Sequence, residues 1–311
     1  GNYFDSTNLA ASDQVNDRPT NNYATLNPLS SVIYSGYRSL TEGNLSYNTT
    51  GSGVWTDVSG TMGIPDSGQW YFEVDIVVLP TATTQNYFIG LVKNTATDMG
   101  GSHSSPARTD TMGLYCAANV AYKSKDATNT STNGGSIATA GQVYMVAVDM
   151  DARKFWLGLE GSWFDSGDPA EGTNPAYSSI GTDWNIMLSL YAYTTPFGVL
   201  RLNTGADPTF AGDDPVATPA TSEFAYTPPT GYSALSTANL PDPPIAKGNE
   251  HFDTLLYTGT EASSQDHTGL SFTPDLTWIK NRDADYSHVV GDVVRGDNNF
   301  LATNSSGAES T

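Results

Sequence analysis

The sequence predicts an all-β chain: an antiparallel β-sandwich followed by a Pro-rich linker and a second, incomplete β-rich segment. Three observations predict it. Short apolar runs recur along residues 32–205, each bounded by Gly, Asn, Asp or Pro, which is how many short strands at near-regular spacing read. Within them the period is two. Trp70, Phe72, Val74 and Ile76 alternate with Tyr71, Glu73 and Asp75, as on a half-buried strand. Finally, no window sustains the i, i+3, i+4, i+7 spacing with caps that a helix needs.

The elements follow in order. Residues 1–31 read as a polar, turn-rich leader arm. Residues 32–205 form the sandwich, with candidate strands at 40–47, 69–78, 87–93, 111–118, 142–149, 154–159, 185–193 and 198–203. Residues 149–153 lie between two apolar runs, and Asp149 and Asp151 suit the caps of a hairpin turn. Segments 95–110 and 124–140 read as long polar loops, and binding residues concentrate in such loops at the ends of a rigid sandwich. Residues 206–248 carry the prolines of a stiff, extended linker, while Phe210, Phe224, Tyr226 and Tyr232 suggest that parts of it lie along the sandwich. Residues 249–311 begin a second β-rich module, with candidate strands at 252–257, 270–272, 276–280 and 287–292.

Composition narrows the function classes. The 33 acidic against 13 basic residues give a formal charge of −20, a field that repels nucleic-acid backbones and anionic membranes. No segment approaches the ~20 apolar residues that cross a bilayer, so neither nucleic acid nor membrane insertion is expected. Cys116 is the only cysteine, which excludes an intrachain disulfide. Its place in an apolar run marks it as a small buried hydrophobe. His103, His251, His267 and His288 are scattered without metal-ligand spacing, so no metal or other cofactor is expected. The chain opens at Gly1 without a charged-then-apolar leader and stops at Thr311 with no closing strand, which reads as a piece of a longer protein.

Five blocks carry a family resemblance. Ser67-Gly68-Gln69-Trp70-Tyr71-Phe72-Glu73-Val74 resembles the strand that opens SPRY domains, and Phe88-Ile89-Gly90-Leu91 the strand that follows. The run from Val146 to Asp151 followed by Lys154-Phe155-Trp156-Leu157-Gly158 is similar to the SPRY hairpin, although the usual Asn-Gly turn is missing after it. Asn174-Pro175-Ala176 with Met187-Leu188-Ser189-Leu190-Tyr191, and then Leu202-Asn203-Thr204-Gly205, resemble the closing blocks. The resemblance spans roughly residues 40–205 and implies a concanavalin-like jelly roll that binds and does not catalyse. The flanks resemble a set of bacteriophage virion proteins, many from marine phages: the leader at Pro19–Leu29, the linker at Phe224–Pro241 and the next module at Pro274–Arg282. That likeness implies a tail-fibre or spike-like component of the virion, assembled in a bacterial cytoplasm. Its implied partners are other virion proteins, copies of itself, and a host cell-surface glycan or protein.

The residues themselves point the same way. The chain contains no phosphate-binding loop, dinucleotide glycine fingerprint, paired-His zinc helix or Gly-x-Ser-x-Gly elbow. Trp163, Phe164, Tyr122 and Trp55 are the aromatic residues expected to meet a ligand, because exposed rings stack on sugars or anchor proteins. Trp70, Trp156 and Trp184 are expected in the core. A polysaccharide depolymerase would need two carboxylates, for which Glu73 and Glu160 are the candidates and solvent-facing strand positions the alternative. A capsid-decorating protein without a receptor role is the other reading.

Overall fold

The structure is a computed structural model that describes residues 16–30, 37–50, 53–79, 86–96, 110–117, 120–126, 128–132, 138–192, 197–210, 223–241, 245, 247–262, 264–296 and 298–310. The chain divides into two compact units, Gly1–Pro241 and Asp242–Thr311.

The first unit runs through β1 (Arg38–Thr41), β2 (Ser46–Thr49), β3 (Val54–Ile64), β4 (Gln69–Val78) and β5 (Asn86–Lys93). Next come β6 (Thr111–Ala117), β7 (Val120–Lys125), β8 (Thr128–Ser131), β9 (Val143–Asp149) and β10 (Lys154–Leu159). It continues with β11 (Ser162–Trp163), β12 (Tyr177–Ser178), β13 (Trp184–Ala192), β14 (Val199–Asn203) and β15 (Ser233–Ala234). The strands build two sheets. One has the order β1-β2-β14-β4-β9-β10-β11, with β12 on β10 and β15 on β4; the other has the order β3-β13-β5-β6-β7-β8. Among the described residues, every pairing apart from the short parallel pair β15–β4 is antiparallel.

The period-two pattern sets the core. Phe72, Val74 and Ile76 of β4 meet Tyr144, Val146 and Val148 of β9 on the inner face of the first sheet. Ile89 and Leu91, Met112 and Leu114, and Ile186, Leu188 and Leu190 face them from the second. This is an antiparallel β-sandwich. Each fully buried aliphatic side chain contributes roughly 1.5–3 kcal/mol relative to its exposed state. Two core tyrosines satisfy each other and the backbone: Tyr87 and Tyr144 share a hydroxyl–hydroxyl hydrogen bond of 3.0 Å, and the Tyr144 hydroxyl accepts the Ala138 amide at 2.8 Å. Cys116 lies among them fully buried, and burial pushes its thiol up to about 12.

The outer face of the first sheet differs from the half-buried strand that its sequence predicts. Tyr71 and Glu73 of β4 point away from the core yet are buried, because two segments outside the sandwich blocks fold over them. Tyr23, Phe224, Tyr232 and Ala234 form a second apolar cluster with Tyr71, Met145, Ala147 and Trp156. Trp156 is therefore buried, but in this outer layer rather than between the sheets. Ala24 donates to the Leu235 carbonyl at 2.9 Å, which ties the two covering segments together. The boundary between the units falls at Pro241 and Asp242, inside the stretch read as a linker, and Phe210 and Phe224 before it are buried.

The expected hairpin at 149–153 forms between β9 and β10. One Asp149 oxygen accepts the Ala152 amide at 2.6 Å, the other the Gln69 side chain at 2.8 Å, and Asp151 accepts the Gly68 amide at 3.0 Å. Other boundaries differ. The expected strand at 40–47 is two strands, β1 and β2, joined by a 3-10 turn at Glu42–Asn44. The expected loop at 124–140 contains β8, and part of the expected loop at 95–110 lies outside the described residues.

The second unit contains β16 (Leu276–Ile279), β17 (Val289–Asp292) and β18 (Phe300–Ala302) in one antiparallel sheet. The expected strands at 252–257 and 270–272 do not form among its described residues. Nor is any of its described residues buried. Among the described residues of the chain, no helix is long and apolar enough to cross a membrane.

Candidate functional site

The outer face of the second sheet brings together two of the four expected ligand aromatics. Side chains alternate along a strand, so with Leu188 and Leu190 pointing inward, Met187, Ser189 and Tyr191 of β13 point outward. Register then lines up Trp55 of β3 with Tyr191, and Tyr115 of β6 with Tyr122 of β7. The Trp55 ring lies 5.5 Å from Tyr191 and 6.0 Å from Tyr115, and Tyr115 stacks on Tyr122 at 6.3 Å with 28° between the planes. Four half-buried rings therefore cross the sheet in one row. Tyr115 also leans on a buried apolar floor of Phe88, Val92 and Met187.

That floor depends on two glycines. Gly90 and Gly113 are paired across β5 and β6, and a Cβ on Gly90 would come within 2.2 Å of the Met112 carbonyl oxygen. A Cβ on Gly113 would meet the Phe88 ring at 2.9 Å. Only hydrogen at both positions lets the strands approach and leaves room for the Phe88 ring.

At the other end of the same face lies an open pocket of about 370 Å³. Its lining is rich in amides and hydroxyls: Asn27, Ser59, Thr61, Asn94 and Asn185. Asn185 donates to the Gly60 carbonyl at 3.2 Å, while its buried side-chain oxygen has no hydrogen-bond partner among the described residues. Such an orphan acceptor costs roughly 1–3 kcal/mol. Lys93 sits 3.7 Å over the Trp184 ring and donates to the Thr182 carbonyl. The six-residue step from Asn185 to Tyr191 along β13 makes the face about 20 Å long.

Between the two ends, Asp57 and Ser189 are buried side by side, the Ser189 hydroxyl donating to the Asp57 carboxylate. Arg38 donates to the Asp57 carbonyl at 3.1 Å and to the Ser30 hydroxyl at 2.9 Å. The carboxylate here is already engaged by its neighbours. The surface offers flat apolar rings and amide donors and acceptors, which is the chemistry of recognition. Among the described residues, no group of three or more His, Cys, Asp and Glu side chains could hold a metal ion.

The remaining expected residues lie elsewhere. Trp163 belongs to the outer face of the first sheet, half-buried with its ring edge-on to Tyr71 at 6.4 Å. Phe164 is not a surface ring: it is 6% exposed and packs edge-on against Tyr144 in the core. The 3-10 turn at Phe164–Ser166 turns it inward, where its apolar ring gains more from burial than from solvent. Glu73 is also not solvent-facing. It accepts hydrogen bonds from the Tyr71 hydroxyl at 2.9 Å, the Asn203 amide at 3.2 Å, and the backbone amides of Ala225 and Tyr226 at 2.9 and 2.8 Å. Glu160 accepts the Val143 amide at 2.6 Å. Both carboxylates hold structure.

Residues 247–311 match the family described as "Domain of unknown function (DUF7483)". No curated protein matches the chain. Among solved structures, the chain is similar to the SPRY domain of human HERC1, at 14% identity over 58% of this chain and 97% of that one, with a TM-score of 0.40. It is likewise similar to the TRIM65 PSpry domain, at 12% identity over 58% of this chain and 89% of that one, with a TM-score of 0.41.

Proposed function

We propose that the protein is a non-catalytic binding component of a bacteriophage virion, a tail-fibre or spike-like part whose SPRY-like sandwich meets a host cell-surface glycan or protein. One observation carries the binding reading. The row Trp55, Tyr191, Tyr115 and Tyr122 stands half-exposed on a rigid sheet, on the same face as an amide-lined pocket. Rings held by strands offer contact area at little conformational cost, and amides fix the orientation of a polar ligand. Support for the virion comes from the flanking segments at Pro19–Leu29 and Phe224–Pro241. The engaged state of Glu73 and Glu160 disfavours a depolymerase built on that pair.

The test is binding to host cells and to their isolated surface polysaccharide. Trp55→Ala and Tyr122→Ala are expected to weaken binding at least tenfold, as truncation of an anchor ring does, while Trp163→Ala leaves it unchanged. No new reducing ends form on incubation with the polysaccharide. Equal binding by all three variants would remove the site, release of reducing ends would make the protein a depolymerase, and no binding at all would favour capsid decoration.

A further inference from the structure

The second unit exposes a strand edge built for pairing. In β16, Leu276 and Trp278 are 61% and 65% exposed and Ile279 is 46% exposed. Within Leu276–Ile279 there is neither charge nor proline, the devices that normally blunt an edge. Among the described residues β16 pairs with β17 alone. The Val293 amide donates to the Asp275 carbonyl at 3.0 Å, which marks Asp275 as facing β17. Alternation along an antiparallel ladder then makes Thr277 and Ile279 face β17 as well. The N–H and C=O groups of Leu276 and Trp278 consequently point away from the sheet.

We infer that β16 is a self-association edge: two copies of the chain pair their β16 strands antiparallel about a two-fold axis through Thr277, joining two three-stranded sheets into one of six. A two-fold perpendicular to a sheet keeps each face in place, so directly opposite residues must share a face. Centring it on Thr277 meets that condition and sets Leu276 of each copy opposite Trp278 of the other. The four outward backbone groups of each strand are then all used, in four hydrogen bonds. Leu276 packs on the Trp278 ring twice, the kind of cross-strand pair that stabilises a sheet.

Charge selects the occupant and its direction. The strand is flanked by Asp275 on one side and by Lys280 and Arg282 on the other. Antiparallel self-pairing lays the acidic end of each copy beside the basic end of the other, whereas parallel pairing would set like charges together. An isologous two-fold contact of this sort closes on itself and stops at two copies. This inference stands apart from the aromatic face of the first unit.

Sedimentation velocity on the full chain between about 1 and 100 μM tests it. The expected result is a concentration-dependent shift to the mass of two copies. Leu276→Pro removes an outward N–H that β17 does not use, and is expected to weaken association at least tenfold, while Leu276→Ala keeps the N–H and weakens it less. Lys280→Asp places like charges at both ends and weakens association several-fold, and adding Asp275→Lys to it restores the wild-type value. This charge swap also guards against a Leu276→Pro variant that merely misfolds. A single-copy mass throughout, a three-copy mass, or a two-copy mass indifferent to the charge swap would overturn the inference.

Discussion

Glu73 sits between two opposing forces. Four donors favour its carboxylate, but burial outweighs them and pushes its carboxyl up to about 7. In the unfolded chain the group titrates near its ordinary value of 4.5, so the folded state holds the proton more tightly. Its contribution to stability is therefore complete below pH 4.5 and is lost as the pH rises through 7. Glu73→Gln cannot ionise. Between pH 4.5 and 7.5 the wild type is expected to lose on the order of 3 kcal/mol relative to that variant, measured as unfolding free energy in urea. Parallel profiles would contradict the assignment. Alternation in the sequence places Glu73 on the outer face, where it is. What alternation does not carry is that a segment 152 residues later covers it, since Ala225 and Tyr226 reach it only through the tertiary fold. The same distinction explains the aromatic row. Tyr115 and Tyr191 occupy the outward parity of strands legible in the sequence, beside Leu114 and Leu190, so their direction could be read. Their meeting with Trp55 depends on strand order, which periodicity does not encode.

At the scale of elements, strands with a clean apolar alternation were legible and polar ones were not. The β9–β10 hairpin follows from its apolar runs and its Asp caps. β3 was missed because Thr56, Asp57, Ser59, Gly60 and Thr61 interrupt its apolar pattern. It forms because β13 supplies a long antiparallel partner and because buried Thr56 and Asp57 find hydrogen-bond partners there. β8 has no apolar residue and forms only as an edge on β7. The covering segment at 223–235 behaves as an element of its own, held by Phe224 edge-on to Tyr71 at 4.8 Å. Phe224→Ala is expected to cost about 3–5 kcal/mol and to let amides of 223–235 exchange well before the sandwich opens. Hydrogen exchange checks both. Unchanged protection there would show that the Glu73 clasp alone holds the segment.

On the scale of the molecule, the two sheets of the first unit have unlike outer faces. One is closed by the chain itself, through Tyr23, Phe224 and Tyr232. The other presents Trp55, Tyr191, Tyr115 and Tyr122 half-exposed. A charge of −20 opposes association of such surfaces by mutual repulsion, and on the proposed function recognition falls to rings and amides rather than to charge. On the proposed function, the ligand sits on this second outer face. Hydrogen-exchange footprinting of the full chain with host-surface polysaccharide tests it most directly. Added protection is expected in β3, β6, β7 and β13, with the strands of the first sheet unchanged; protection confined to β10, β11 and the segment at 223–235 would place the ligand elsewhere.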